Sequence, residues 1–363
     1  MINGFINLNK PATWTSHDCV ARMRRLLQTK KIGHCGTLDP LATGVLPIAV
    51  GRATRLIQYL PARKAYRAVI RFGVTTATDD LEGDILTQQS AADLSLPSVE
   101  AALPQFLGSI NQVPPMYSAI QVGGQRLYDL ARKGRTVDVP VRQVVIHQLM
   151  SQGWTENPAF AEHPELILDI DCGPGTYIRS LARDLGEAVG TGATLAQLTR
   201  THSNGFDLDG SLTLEALEQG FDIEKLEVFP TGKAVAHLPA IALSPTLSRR
   251  WCMGQKLAFS PKSAPDMTGE GTRFAKAQTD ELISPPLRIL NVETGQFLGI
   301  GEVRWVPPVR SEASAEANAE QPVEKSNEHT NEKIECIFVE SPVSENLAYH
   351  PILAAKCVFL AVD

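Results

Sequence analysis

Residues 33–44 read GHCGTLDPLATG, a segment that surrounds one acid with residues that shape the backbone. It contains three glycines, one histidine and a single carboxylate, Asp39, which stands between Leu38 and Pro40. Taken alone, an Asp-Pro pair among glycines is typical of a tight surface turn. A catalytic carboxylate held in a rigid loop is the alternative, and the rest of the chain has to decide between the two.

The charge of the chain is unevenly distributed. The 363 residues carry a net charge of −6, which alone indicates no polyanionic partner. Residues 1–77, however, contain twelve lysines and arginines against Asp18 and Asp39, a local charge of +10. A locally basic segment of this kind can neutralise the phosphates of a nucleic acid, whatever the net charge of the chain. It is equally compatible with a basic face that is only solvated.

The sequence lacks the signatures of several classes of protein. The six cysteines form no CxxC pair, so we expect free thiols in a reducing cytoplasm. The first residues lack the pattern of a signal peptide, and no apolar run reaches the length of a membrane span. A P-loop, a dinucleotide fingerprint, an HExxH motif and a GxSxG elbow are all missing, and the eight histidines are scattered. We therefore expect neither a metal nor an organic cofactor.

Hydrophobic periodicity predicts a mixed organisation of helices and strands. The strands are linked mainly by hairpins, without a repeated βαβ pattern. The predicted elements are a strand at Phe5–Leu8, a helix capped by Thr15 or Ser16, a strand at Tyr66–Phe72, a turn at Thr78–Asp80, a hairpin turn at Gly123–Gly124, a short helix from Leu127 to Gly134, a strand at 165–172 and a helix capped by Thr176.

A domain boundary is predicted near residues 230–240, where Pro and Gly interrupt the pattern. This gives a first domain at 1–235 and a small β-rich domain at 236–363. Strands of the second domain are predicted at 288–292, at 299–303 and within 353–362. Residues 311–335 carry a glutamate at every fourth position and no apolar face, which indicates a disordered acidic insert.

The chemistry open to a lone carboxylate is limited. Such a group acts as a nucleophile or a base without a cofactor. Glycoside hydrolysis normally uses a second carboxylate as the acid, and no other acid of the chain has a setting comparable to that of Asp39. The pattern favours a reaction in which the base leaves and returns over net hydrolysis.

Five motifs stand in order along the chain: Lys10-Pro11 with Thr15-Ser16-His17-Asp18, the loop Gly33–Gly44, Lys64-Ala65-Tyr66-Arg67, Pro114–Ala119 with the hairpin that follows, and Gly175-Thr176-Tyr177-Ile178-Arg179. Together they resemble the TruB-type tRNA pseudouridine-55 synthases, which implies an α+β fold with a mainly antiparallel mixed sheet flanked by helices. The resemblance extends over about residues 3–235, and a weaker one to a small PUA-like RNA-binding domain covers Arg249 to Gly301. Thr13 stands where the family commonly has glycine, which leaves the local turn open, and Cys35 replaces another small residue.

This resemblance implies a function and a set of site residues. The T-loop uridine of tRNA is flipped out, its N-glycosidic bond is broken, and C5 of the uracil is joined to C1′ without a cofactor. The implied roles are Asp39 as nucleophile on the ribose or the uracil ring, Arg179 as its partner, Tyr66, Tyr177 and Leu198 around the uracil, His34 in place of the extruded base, and Lys10 with Arg22–Arg25 on phosphates.

Two other functions stay open from the sequence. A non-catalytic module that reads the T arm would share the basic face and the aromatic side chains without needing Asp39 or Arg179. A hydrolytic RNA glycosylase would release free uracil. The expected partner is the T-arm stem-loop of tRNA, and we expect a monomer without membrane contact.

Overall fold

The structure is a computed structural model that divides into two compact units, Met1–Pro230 and Thr231–Asp363. The described residues are 2–118, 120–127, 138–155, 162–219, 226–258, 262–263, 275–276, 282–306, 337–338 and 350–359. The predicted acidic insert at 311–335 and most of the predicted helix from Leu127 to Gly134 lie outside them.

The first unit combines a large sheet with helices. Its described strands are β1 (Gly4–Lys10), β2 (Ile32–His34), β3 (Thr43–Val50), β4 (Lys64–Phe72), β5 (Val74–Thr76), β6 (Ile85–Gln88), β7 (Gly108–Gln112), β8 (Gln121–Val122), β9 (Gln125–Arg126), β10 (Arg142–Thr155), β11 (Glu165–Cys172), β12 (Ala193–Ser203), β13 (Phe206–Asp207) and β14 (Leu212–Thr213). The α-helices are α1 (Ser16–Leu26), α2 (Leu96–Ala102), α3 (Ile178–Ala188) and α4 (Leu214–Glu218), and 3-10 helices cover Gly51–Tyr59, Leu103–Phe106 and Leu208–Gly210.

The large sheet confirms the predicted α+β class. Its main strand order is β14-β1-β3-β12-β4-β11-β10-β7, with β2 paired to β3 and β13 paired to β12. Only β1–β14 and β3–β12 are parallel pairs among the described strands of this sheet, and the other pairs are antiparallel. The parallel pair β3–β12 places two predicted site segments side by side, because β3 follows the Asp39 loop and β12 carries Leu198.

Alternation along the central strands builds the core. Ala68, Ile70 and Phe72 of β4 are buried on one face, as are the leucines of β11, because successive side chains of a strand point to opposite faces. Helix α1 buries Val20 and Met23 against this core. The predicted strands in β1, β4 and β11 are confirmed, as is the tight turn at Gly123–Gly124, where both glycines have positive φ between β8 and β9.

The predicted cap of helix α3 was wrong. The N-cap residue is Tyr177, and its side chain makes no capping hydrogen bond. Thr176 instead donates from Oγ1 to the Gly173 carbonyl at 3.0 Å, which stabilises the turn before the helix. By contrast, α1 begins at a full capping box, in which Thr15 and Asp18 satisfy each other's backbone amides.

The second unit contains a smaller sheet. Its core includes Trp251, Ile289 and Leu353. The described elements are α5 (Thr231–Ala234), β15 (Ala240–Leu243), α6 (Pro245–Cys252), β16 (Leu257–Ala258), β17 (Lys262–Ser263), β18 (Ala275–Lys276), β19 (Leu282–Ile283), β20 (Leu287–Asn291), β21 (Phe297–Val306), β22 (Ile337–Phe338) and β23 (His350–Val358). The three predicted strand regions overlap β20, β21 and β23.

Candidate active site

Asp39 lies between β2 and β3 in a loop that is tied to helix α1. The Leu38 amide donates to Ser16 Oγ at 2.8 Å, and the same hydroxyl donates to the Leu38 carbonyl at 3.1 Å. Ser16 opens α1 and is buried. The residue before Asp39 is therefore held at both backbone groups, whereas the Asp39 side chain is 38% exposed.

The Pro40 carbonyl holds the other side of this loop. It accepts hydrogen bonds from the Thr13 amide at 2.9 Å and from Lys10 Nζ at 3.2 Å. Lys10 is completely buried and also donates to the carbonyls of Pro11 and Trp14, at 2.8 and 2.6 Å. Burial lowers the pKa of Lys10 to about 8. Three carbonyls match the three donors of an ammonium group, so this geometry does not support the expected phosphate contact of Lys10.

Thr13 keeps the turn that the sequence left open. Its φ is 68°, in the left-handed region where glycine is favoured and a β-branched residue is rare. This conformation points the Thr13 amide at the Pro40 carbonyl. The position therefore retains the geometry that a glycine would adopt, with backbone strain.

Arg200 fixes the glycine-rich part of the loop, and the sequence did not single it out. It is completely buried and donates to three carbonyls of the loop and its following strand: those of Val45 at 2.7 Å, Gly36 at 3.1 Å and Thr37 at 3.2 Å. A lone arginine in a strand gives no local signal of where its guanidinium points. Gly44 lies against the backbone of Arg200 in the β3–β12 pair, where a Cβ would lie 2.3 Å from the Arg200 carbonyl oxygen.

Arg179 contacts the Asp39 carboxylate. Its Nη2 lies 2.9 Å from Asp39 Oδ2 and also donates to the Tyr117 carbonyl at 3.0 Å. Its Nη1 donates to the Thr78 carbonyl at 3.0 Å. The guanidinium is 6% exposed, so the ion pair joins a buried cation to an accessible carboxylate. The structure brings these two predicted residues together although they are far apart in sequence.

Asp80 is a second acid at Arg179 that the sequence analysis treated only as part of a turn. Its Oδ2 lies 3.5 Å from Arg179 Nη1, and its side chain is 4% exposed. The preceding Asp79 has φ 60° and pairs with Arg183 at 2.8 Å. Burial raises the pKa of Asp79. Arg179 therefore stands between a buried acid and the exposed Asp39.

The residues predicted around the uracil lie near this pair. In the β4–β12 register, Tyr66 faces Arg200 and Leu198 faces Ala68, so Tyr66 and Leu198 are diagonal neighbours on one sheet face. Both are buried. Burial raises the pKa of Tyr66 and of Tyr177, and the negative charge of Asp39 adds to both shifts. Both phenols therefore lie within electrostatic reach of the carboxylate.

His34 ends β2 next to a second histidine, His17, which is exposed on α1. Their ring centroids are 5.4 Å apart and the planes are inclined by 75°, an edge-to-face contact. The Gly36 amide donates to His34 Nδ1 at 3.3 Å, which places the proton of the neutral ring on Nε2. Burial lowers the pKa of His34, and the charges of His17 and Arg200 lower it further. The ring is thus neutral at pH 7.

Acids from elsewhere in the fold neutralise part of the basic segment. Three of these acids lie on β11, opposite arginines of β4 and its approach. The pairs are Arg22–Glu218, Arg63–Asp171, Arg67–Asp169 and Arg71–Glu165. The local charge of +10 therefore overstates the positive potential that this segment offers to phosphates.

Metal-binding clusters and membrane-spanning helices are both absent from the described residues. Within that part of the chain, no group of three or more His, Cys, Asp or Glu side chains could hold a metal ion. The same residues contain no helix with the length and apolar character needed to cross a membrane.

The chain is similar to known proteins over most of its length. The matched residues include Asp39, Arg179 and Leu198 and extend into both units. Family profiles match at residues 24–178 (TruB family pseudouridylate synthase, N terminal domain), 179–228 (tRNA pseudouridylate synthase B C-terminal domain) and 239–305 (pseudouridine synthase II TruB, C-terminal). The tRNA pseudouridine synthase B of Trichormus variabilis is 49% identical over 303 residues, 84% of this chain and 95% of that protein. That of Gloeobacter violaceus is 54% identical over 283 residues, 78% and 94% of the two chains. Among solved structures, a Cbf5–Nop10–Gar1 complex matches with a TM-score of 0.57 and 25% identity over 82% of this chain and 78% of that one.

Proposed function

The chain belongs to the TruB family of pseudouridylate synthases, and from this premise we propose that it isomerises uridine 55 in the T loop of tRNA to pseudouridine. The observation that carries the proposal is the 2.9 Å contact between Arg179 and Asp39, in a loop whose sequence is similar to the family motif. The relatives named as tRNA pseudouridine synthase B support tRNA as the substrate.

Asp39 is the proposed nucleophile. Its carboxylate attacks the ribose or the uracil ring, the N1–C1′ bond breaks, the uracil turns, and C5 forms a bond to C1′. C5 then loses its proton and N1 takes one up, so the product has the composition of the substrate. Asp39 is released unchanged. The isomerisation transfers no electrons and consumes no water.

Arg179 orients this nucleophile. Its guanidinium engages Oδ2 of Asp39, and we assign the attack to Oδ1. Because Arg179 is also held by the carbonyls of Thr78 and Tyr117 and by Asp80, it cannot follow the carboxylate freely. The carboxylate is thereby held in one orientation before the substrate arrives, which lowers the entropic cost of the attack.

The flipped base would lie against Tyr66, Leu198 and Tyr177. Aromatic faces and an aliphatic side chain bind an extruded base by stacking and exclusion of water. His34 takes the place that the base leaves in the loop. Its neutral ring, with an edge-to-face contact to His17, suits stacking better than proton transfer at neutral pH.

The remaining assignments concern binding and context. We assign catalysis to residues 1–235 and RNA binding to a PUA-like domain at 236–363, which the profile match at 239–305 supports. The T arm of tRNA is the expected partner, and the protein is expected to act as a monomer in the cytoplasm. A second candidate function gains no support from any contact in the site.

Mapping pseudouridine in an unmodified tRNA transcript after incubation with the protein tests the proposal. The expected product is pseudouridine at position 55, with no free uracil and no product from a transcript in which that uridine is replaced. Release of uracil would identify a glycosylase. Tight binding without any product would identify a non-catalytic RNA-binding module.

A further inference from the structure

Gln112, at the end of β7, makes two hydrogen bonds to the backbone of Tyr177. Its Oε1 accepts from the Tyr177 amide at 2.8 Å, and its Nε2 donates to the Tyr177 carbonyl at 2.9 Å. Gln112 is 1% exposed. The side-chain amide therefore pairs with the Tyr177 backbone as a neighbouring strand would. Because Oε1 accepts and Nε2 donates, the orientation of the Gln112 amide group is fixed.

This contact supplies what the start of α3 lacks. Tyr177 is the N-cap of α3 and makes no capping hydrogen bond with its own side chain. In a capping box, the third helical residue would satisfy the N-cap amide. That residue here is Ser180, whose Oγ donates instead to the Val113 carbonyl at 2.8 Å. Gln112 thus takes the role of the absent capping partner.

The segment after Gln112 contacts the same helix at further points. The Val113 carbonyl also accepts from Arg183 Nη2 at 3.0 Å, and the Tyr117 carbonyl accepts from Arg179 Nη2. These contacts hold successive turns of α3, so its first turn can neither rotate nor slide without breaking several of them. Arg179 stands two residues after Tyr177 in that turn.

We infer that Gln112 is a positioning residue of the isomerisation, acting through the Tyr177 backbone on both the Tyr177 ring and the Arg179 guanidinium. The residue type follows from the contact. Methionine has a similar length but no donor and only a weak acceptor, and glutamate would accept from the amide while its second oxygen faced a carbonyl. This role rests on the proposed function. It adds to that function a residue that contacts neither the nucleophile Asp39 nor the flipped base.

Gln89, which unlike Gln112 is exposed, offers a control at the opposite end of α3. Its Nε2 donates to the carbonyls of Gly190 and Thr191, at 3.3 and 2.8 Å, just after the helix. It is therefore another glutamine that ties α3 to the rest of the unit through backbone carbonyls, but at the end remote from Arg179. Gln89→Met should disturb the helix without moving the site.

The experiment compares Gln112→Met, Gln112→Glu and Gln89→Met by two readouts, well below their unfolding temperatures. The first is amide hydrogen exchange at Tyr177, which does not depend on activity. The second is the single-turnover rate on a T-arm stem-loop, with the dissociation constant measured separately. We expect Gln112→Met to lose the protection of the Tyr177 amide and to react about 10- to 30-fold more slowly, the effect of one to two hydrogen bonds. Binding should change less than about threefold, because phosphate contacts dominate it.

Gln112→Glu should recover part of both readouts, and Gln89→Met should match the wild type in both. An unchanged rate in Gln112→Met, or an equal loss in Gln89→Met, would overturn the inference. A loss that appears only in binding would do the same. If the wild-type protein formed no pseudouridine while the exchange difference persisted, the proposed function would fail and the contact between Gln112 and Tyr177 would stand.

Discussion

Arg179 and Asp39 meet at 2.9 Å, yet the arginine side chain is 6% exposed and the aspartate side chain 38%. A buried guanidinium is stable only with partners, and here Asp80 and two backbone carbonyls supply them from inside the fold. In the proposed reaction, the exposed partner is the one that reaches the substrate. The pair is thus held rigidly on its buried side and accessible on its solvent side.

Asp39→Asn should abolish isomerisation while tRNA affinity is kept. The amide preserves the shape of the side chain and loses the negative charge that makes it a nucleophile, so we expect a single-turnover rate lower by at least about 10³-fold. Binding should stay within about threefold or tighten, since a charge facing phosphates is removed. Measurement of both constants on the same transcript checks this, and a variant that retained a tenth of the rate would exclude Asp39 as the nucleophile.

Arg179→Lys should slow the reaction by about 10²-fold although the charge is conserved. An ammonium is a point charge, whereas the planar guanidinium serves Asp39, Thr78 and Tyr117 together from fixed directions. Single-turnover rates of wild type and variant at saturating RNA give the comparison. A near wild-type rate would show that charge alone is sufficient at this position.

The secondary structure was largely predictable, because its signals are local. Period-two burial in β4 and β11 and the paired glycines of the β8–β9 turn follow from alternation and turn chemistry. The N-cap of α3 was not predictable. The backbone amide of Tyr177 donates to Gln112, which lies 65 residues earlier in the chain. No residue close to Tyr177 in the sequence indicates that contact.

The site was predictable only where its residues lie in motifs. Asp39 and Arg179 each stand in a recognisable segment, and the fold brings them together. Arg200 and Asp80 were missed because their roles depend on which carbonyl or cation the tertiary structure places beside them. Lys10 stands in a motif as well, but the motif cannot tell an exposed ammonium from one buried among carbonyls.

Lys10→Met should leave the salt dependence of tRNA binding unchanged. Its ammonium is buried on three carbonyls, so it releases no counterion when RNA binds. The slope of log Kd against log salt concentration measures this. Arg25→Gln on the exposed face of α1 is the comparison, with an expected decrease of about 1 in the magnitude of the slope. If Lys10→Met gave the same decrease, the result would support the sequence-based prediction that Lys10 contacts a phosphate.

Thr13→Gly should stabilise the protein. A threonine at φ 68° carries backbone strain of about 1–3 kcal/mol, and the greater entropy of unfolded glycine offsets about 0.5–1 kcal/mol of the relief. We expect a net gain of up to about 2.5 kcal/mol, seen as a higher thermal midpoint. Ala12→Gly is the neighbouring control, and it should lower the midpoint because no positive φ is relieved there. A decrease in both variants would show that the turn is not strained.

His34 should make the protein less stable as the pH falls. Burial lowers the pKa of His34 below its ordinary value of about 6.5, so the unfolded chain binds the proton more readily than the folded chain. Stability from this group is therefore complete above about pH 6.5 and is lost as the pH falls below it. Urea denaturation between pH 8 and 5 should show a steeper loss for the wild type than for His34→Phe.

The same substitution separates stacking from proton transfer. If the ring replaces the extruded base, His34→Ala should weaken binding or slow the reaction by about 10- to 100-fold, since stacking on a base contributes roughly 1–3 kcal/mol. His34→Phe should recover part of this loss, because a planar ring remains beside His17. Single-turnover rates of both variants across pH decide the matter. A phenylalanine variant as inactive as the alanine one, together with a wild-type titration that both variants lose, would assign His34 to proton transfer.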